Sequence, residues 1–416
     1  MSTEQSSYRY NKKALWAILL CAGFLFYKYI LQVYPTVITT QLMSDFNLSG
    51  AGLGNLAATF YYSYMIMQLF SGGIIDKYGT RNVAVPAIFI AAIGMLLFSY
   101  SHTVWLAGIA RAFMGAGVAF ATVAYMKTAA DWFPAKHYAF IGGLLATAVM
   151  LGAVFGEAPL AFFVSCFGWR YIIFGMGVLG ILLALLFWCV VNNKPHKDNS
   201  ENPQKEFFSW PLLWAVLKNR NNWLLTLYSG FVFSPLAVMG GLWGTPFLSQ
   251  AYLLSPTKAS AFVSLCFVGF GVGGPLLGLL SDRIGRWPVM FFSTLLSLLS
   301  ISLILYVPDM SSWALSSLLF FFGFFVGAFM LAFAVGKEAN PIAMTATVIA
   351  MINASDAILD AATEPAIGKF LDWHSHGAIV NGVHFFSTRD YQLALSILPV
   401  YTLFSLYFVW KLRLKR

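Results

Sequence analysis

Gly72-Gly73-Ile74-Ile75-Asp76-Lys77-Tyr78-Gly79-Thr80-Arg81 returns, in altered form, as Gly278-Leu279-Leu280-Ser281-Asp282-Arg283-Ile284-Gly285-Arg286. Both stretches fit Gly-x3-Asp-[Lys/Arg]-x-Gly followed closely by a base, and their aspartates lie 206 positions apart (76 to 282) in a chain of 416 residues. That separation is about half the chain, which a duplicated unit requires. Gly72 and Gly278 are expected to let neighbouring helices approach closely, while Gly79 and Gly285 permit tight turns. Each aspartate can accept from a helix N-terminus or from a base. One copy would be ordinary loop chemistry. Two copies at equivalent places mark a repeat and, with it, a candidate gating motif.

Long apolar runs flank both copies. Hydrophobic residues make up 59% of the chain and charged residues 10%, against roughly 25% charged in a soluble domain. A water-soluble fold of this size has nowhere to hide so much apolar surface, whereas a bilayer accepts it as solvent. Each helical span needs about 20 mostly apolar residues. Such runs occur near 14–37, 51–72, 83–101, 103–128, 138–163 and 170–192. They resume near 221–248, 258–280, 287–307, 312–336, 342–371 and 390–411. The runs are continuous, without the alternation of a lipid-facing barrel strand. The expected fold is therefore an all-α membrane protein with twelve transmembrane helices in two pseudo-symmetric six-helix bundles.

The only long polar stretch between spans reads as a flexible linker. The expected organisation is a tail at 1–13, a bundle at 14–192, a linker at 193–220, a second bundle at 221–411 and a tail at 412–416. The first span is longer than a signal-peptide core and is expected to be retained. Cys21, Cys166, Cys189 and Cys266 fall in spans or at their edges, where they serve as small apolar residues. A net charge of +9 could suggest nucleic acid. However, most of the Lys and Arg gather in the connections that share a side with both termini. That is the positive-inside bias; it places both termini in the cytoplasm and excludes a nucleic-acid footprint.

With the paired loops in place, the chain resembles the major facilitator superfamily along essentially its whole length. Arg111-Ala112-Phe113-Met114-Gly115-Ala116-Gly117 looks like a second motif of that superfamily, an intramembrane Arg followed by small residues. Further stretches resemble one bacterial branch, the phagosomal nutrient transporters. These are Tyr125-Met126-Lys127-Thr128-Ala129-Ala130-Asp131-Trp132-Phe133-Pro134, Phe167-Gly168-Trp169-Arg170, Leu242-Trp243-Gly244-Thr245-Pro246-Phe247 and Lys337-Glu338-Ala339-Asn340-Pro341. The resemblance implies a proton-linked importer in a bacterial inner membrane, acting as a monomer without a cofactor. In the fifth span Gly152-Ala153-Val154-Phe155-Gly156-Glu157-Ala158-Pro159 puts Glu157 where the exchangers' pattern continues with Gly-Pro. That departure weakens a drug-efflux reading.

A charge near the bilayer midplane costs about 2.5–3.5 kcal/mol on insertion scales, so each such residue needs a partner, a wet cavity or a change of protonation. Lys28 lies mid-way along the first span, with Gln32 one turn further on the same face. It is a candidate anchor for a carboxylate or phosphate; the alternative is a structural ion pair. Arg111 is read as a planar clamp for an anionic group, as a partner of Glu157 or another acid that governs proton affinity, or as a packing residue in an ion pair or bonded to backbone carbonyls. Lys127, near the end of its span, is expected to reach interfacial water. Tyr61 and Tyr64 share a face with Gln68 and are candidate solute contacts.

Asp356, Asp360 and Glu364 recur every four residues. They stay within about 80° of one helix face over about 12 Å. Three ionised carboxylates so placed would repel, so bases or bound protons are expected. With Glu157 they form the proton-coupling candidates. His374, His376 and His384 sit before the last span and are expected to be solvated, with no metal.

The function expected from these residues is a secondary active transporter. It imports a small anionic or zwitterionic solute (amino acid, nucleoside, peptide or hydroxycarboxylate) with protons, by alternating access. Export of a siderophore or drug-like compound, or a non-transporting sensor, are the alternatives. No Walker Gly-x4-Gly-Lys-[Ser/Thr], His-Glu-x-x-His or Gly-x-Ser-x-Gly is placed for catalysis, so an enzyme is not expected.

Overall fold

The computed structural model describes residues 12–133, 135–191, 210–307, 309–340, 342–376, 379–380 and 383–412. Twelve long helical units carry the chain back and forth. The first six are α1 (Lys12–Val33), α2 (Gly50–Tyr78), α3 (Thr80–Tyr100), α4 (Val104–Val118, resuming at Ala121–Trp132), α5 (Ala135–Phe167) and α6 (Trp169–Val190). The second six are α7 (Arg220–Val238, continuing through a π-helical turn into Gly244–Ala251), α8 (Pro256–Ile284), α9 (Arg286–Tyr306), α10 (Ser312–Val326, resuming at Leu331–Glu338), α11 (Ile342–His374) and α12 (Thr388–Leu395 with Ile397–Lys411). The start of α1 and the end of α12 therefore lie at one end of the molecule, the termini side; the opposite end is the far end. Part of the stretch read as a linker is ordered, because Trp210–Lys218 forms a helix ahead of α7. The tails and the rest of that linker (1–11, 192–209 and 413–416) lie outside the described residues.

Ten of these units are long and apolar enough to cross a membrane by length and composition. The other two, α2 and α11, carry the tyrosines, amides and acids singled out above, and they lie against each other. Polarity has been moved inward: α6 turns Leu179, Leu182, Leu185 and Leu186 to the surface, each more than half exposed. Lipid replaces water as the solvent of that face.

Local signals start and stop the helices. Ser49, Thr103, Ser255 and Ser311 cap α2, α4, α8 and α10 by accepting from a first-turn backbone N–H. Gly79 and Gly285 take φ 82° and 97° with ψ near 155° at the α2–α3 and α8–α9 turns, a backbone region that side chains oppose. The paired turns of the sequence repeat are thus paired in shape. Within the first half, the small residues after Arg111 let helices close in. A Cβ on Gly115 would overlap the Phe60 carbonyl of α2, and one on Gly117 the Ala87 carbonyl of α3.

The halves meet through α2 against α11 and α5 against α8. At the far end this seam is tight. Gly50 and Gly368 bring their backbones together, and a Cβ on Gly54 would lie 2.7 Å from Cα of Pro365. Toward the termini, among the described residues, no neighbouring helix places an atom within 4 Å of the position a Cβ would take at Gly72 or Gly278.

Candidate solute-binding site

Lys28 of α1 is 5% exposed. Its Nζ donates to the Tyr64 hydroxyl of α2 at 3.0 Å and stands 4.8 and 4.7 Å from the centroids of Tyr29 and Tyr64. It makes no ion pair among the described residues. The ammonium is thus held by an aromatic cage and one hydroxyl, which leaves donor capacity unused. Across the seam its charge faces Asp356 of α11. Asp356 accepts from the Ser229 hydroxyl of α7 at 3.2 Å and from Ser355 at 3.3 Å. A cation from one half and a carboxyl from the other therefore flank the interface, each satisfied by hydroxyls rather than by the other. Gln32 is half-buried one turn further along α1.

Toward the far end lies a second polar layer. Asp360 and Glu364 are 2% and 1% exposed, and one oxygen of each has no hydrogen-bond partner. The Tyr61 hydroxyl is likewise buried and unpartnered. It converges with Glu364 on the π-helical turn of α7 (Met239–Trp243), where a Cβ on Gly241 would lie 3.3 Å from both Glu364 Oε1 and the Tyr61 oxygen. Asp360 and Arg111 are the charges that Glu364 faces. Buried polar atoms without partners are rare in proteins and mark places where water, a proton or a ligand group completes the bonding.

Arg111 sits inside the first half. Its Nη1 and Nη2 donate to the carbonyls of Leu31 at 2.9 Å and Ala57 at 3.2 Å, and its guanidinium lies 4.8 Å from the Phe60 ring centroid and 5.4 Å from that of Tyr34. This geometry ties α1, α2 and α4 together, and the guanidinium is also a charge that Glu364 faces. Glu157 of α5 is fully buried. It accepts from Ser260 of α8 at 2.7 Å, across the seam, and its other oxygen is unpartnered.

In the second loop motif Arg286 bridges Asp282 at 2.7 Å and Glu338 of α10 at 3.1 Å. Arg283 and Lys77 are exposed, and Arg81 stacks 4.5 Å from the Trp188 ring. The Asp76 side chain lies outside the described residues. Lys127 pairs with Asp131 one turn on, partly exposed. His374 is bonded to Asp390, in the first turn of α12, at 2.5 Å.

The candidates thus resolve into one layer of Lys28, Tyr64 and Asp356, a second layer of Tyr61, Asp360 and Glu364, and Arg111 and Glu157 to the sides. Three contributors had escaped the sequence reading: Ser229, Ser260 and Asp372, whose carboxylate accepts from the Gly50 N–H at the start of α2. Asp372 carried a signal, since Gly368 and Asp372 continue the four-residue spacing of 356, 360 and 364.

A twelve-helix protein with polar helices at a central seam and lipid-facing leucines outside has the architecture of a multi-pass membrane transporter. A sequence profile of the Major Facilitator Superfamily matches residues 15–363. The chain belongs to that family. It is similar to an uncharacterized transporter, YybO, of Bacillus subtilis (24% identity, 62% of this chain and 63% of the relative). It is also similar to a probable L-galactonate transporter of Escherichia coli (25%, 66% and 62%) and to the probable sulfoacetate transporter SauU of Cupriavidus necator (24%, 71% and 74%). The match thus spans somewhat under two thirds of the length of YybO and of the galactonate carrier. Among solved structures, a bacterial homologue of the human lysosomal transporter Spinster superposes with TM-score 0.80 at 16% identity, over 96% of this chain and 97% of that one. The D-xylose-proton symporter gives 0.71 at 17% identity, over 95% and 97%. These structures share the fold.

Proposed function

We propose that this chain is a proton-coupled importer of a small organic anion or zwitterion, with Lys28 as the anchor for the solute's negative group. The observation that carries the reading is a buried ammonium at the seam with no carboxylate bound to it, ringed by tyrosines that order it without neutralising it. An ion kept desolvated and unpaired is costly unless a partner arrives to complete it. A solute carboxylate, sulfonate or phosphate completes it, and Tyr64, Tyr61 and Gln32 supply hydrogen bonds to its remaining polar groups. The relatives named for galactonate, sulfoacetate and, in Bacillus subtilis, galactarate/D-glucarate favour the anionic end of this range.

Glu157, Asp356, Asp360 and Glu364 are the proton-binding groups in this reading. Both termini are cytoplasmic in this reading, as the distribution of Lys and Arg favours, so the tightly packed far end faces outside and is the closed side of the site. The loop pairs around Asp76, Lys77, Arg81, Asp282, Arg283 and Arg286 then re-form the inner seal when the halves rock, and Gly72 and Gly278 receive the approaching helices at that stage. The protein acts as a monomer in a bacterial inner membrane.

The test is a thermal-shift series on purified protein with galactonate, glucarate, sulfoacetate, amino acids and nucleosides. One anionic class is expected to stabilise the wild type, to fail with Lys28→Ala and to retain part of its effect with Lys28→Arg. Equal stabilisation of Lys28→Ala would remove Lys28 from the site. In liposomes, solute uptake indifferent to an imposed pH gradient would defeat the coupling.

A further inference from the structure

The far end is held shut by contacts that nothing in the transport reading uses. Helix α2 begins at Gly50 with four backbone N–H groups that have no partner inside the helix. Leu53 N–H bonds to the Ser49 carbonyl and Gly52 N–H to the Ser49 hydroxyl, both local. The other two are taken by the opposite half: Asp372, in the last turn of α11, accepts from Gly50 N–H at 2.7 Å through Oδ1 and from Ala51 N–H at 2.8 Å through Oδ2. The partners are 322 and 321 residues apart. One carboxylate thus caps a helix of the other half with both oxygens, at the positive end of that helix dipole. Gly50 and Gly368 admit the approach, and Tyr62 adds a bond from its hydroxyl to the Ala361 carbonyl at 3.2 Å.

The second seam carries a bond of its own: Glu157, from the fifth helix of the first half, accepts from Ser260, near the start of the second helix of the other half.

We propose that Asp372 is the clasp of the outer gate, a positioning residue whose bonds to Gly50 and Ala51 must break before the site can face outside. Bonds of a charged group to two short-range donors are among the stronger ones a protein makes. Opening strands two N–H groups that only water can then satisfy, so release of the clasp and hydration of the outer vestibule are one event. The proposal rests on alternating access and on the assigned sidedness, not on the solute or on protons.

The experiment uses full-length protein with Cys21, Cys166, Cys189 and Cys266 replaced by Ser, in membrane vesicles of either orientation. One reporter is Ala361→Cys, in the far seam; a second, in a separate protein, is Gly72→Cys, on the open face near the termini. A membrane-impermeant maleimide is the probe. With Asp372→Ala, labelling of the far-seam reporter from outside is expected to rise about tenfold or more, since each bond to a charged group weights an equilibrium by roughly an order of magnitude. Labelling of the Gly72 reporter from inside is expected to fall in step. Asp372→Asn, which keeps one acceptor oxygen, should lie between. Unchanged labelling at both sites would overturn the proposal. So would a rise at both, which means loosening of the fold rather than a shift between its two states. No solute enters these measurements, so they stand apart from the binding test of Lys28.

Discussion

Replacing Arg111 by Lys separates the two roles that a buried arginine in α4 can have. In the structure its two terminal nitrogens serve carbonyls 80 and 54 residues away, on α1 and α2. A lysine keeps the charge but presents a single point donor on a shorter reach, so at least one of these bonds is lost. Hydrogen bonds to a charged group contribute about 1.5–3 kcal/mol each, and the guanidinium's contact with the Phe60 and Tyr34 rings adds about 0.5–2 kcal/mol. Arg111→Lys should therefore destabilise the first half by about 2–4 kcal/mol, with Arg111→Ala worse still through the space it opens. The assay is unfolding of purified protein in detergent, followed by tryptophan emission, beside solute binding at a temperature where the variant is still folded. The expected outcome is a lowered midpoint with affinity changed less than about threefold. Wild-type stability with abolished binding would refute the reasoning and make Arg111 a solute clamp.

Three further substitutions test the turn geometry and the second polar layer. Gly79→Ala and Gly285→Ala each force a side chain into a backbone region that costs about 1–3 kcal/mol, so each should lower the unfolding midpoint, and the pair should do so additively because the turns lie in different halves. Gly241→Ala puts a methyl group 3.3 Å from Glu364 Oε1 and the Tyr61 hydroxyl; we expect a folded protein whose transport rate drops at least several-fold, and an unchanged rate would mean that the space beside these groups is idle.

The fold was legible because its signals are local or periodic. Long apolar runs, a polar interruption near the midpoint and a loop motif written twice need no knowledge of which helix touches which. The acid stripe on α11 was legible for the same reason. Partnership was not. Whether Arg111 meets an acid or a carbonyl depends on where α1 and α2 pass, and Asp372 gains its meaning only from a helix start more than 300 residues earlier. Gly72 and Gly278 show a different limit. A small residue announces that something can come close, but which end of the molecule is drawn together is a property of the conformation.

The contact between Gly50 and Gly368 has a consequence for how such a protein can change over generations. The two halves touch there main chain to main chain, which holds as long as both positions stay glycine, so the fit of the gate is indifferent to what happens a few turns away. Side chains around Lys28 and Asp356 can be exchanged to suit a new cargo without refitting the surfaces that slide. Recognition and movement are carried by separable parts of one wall.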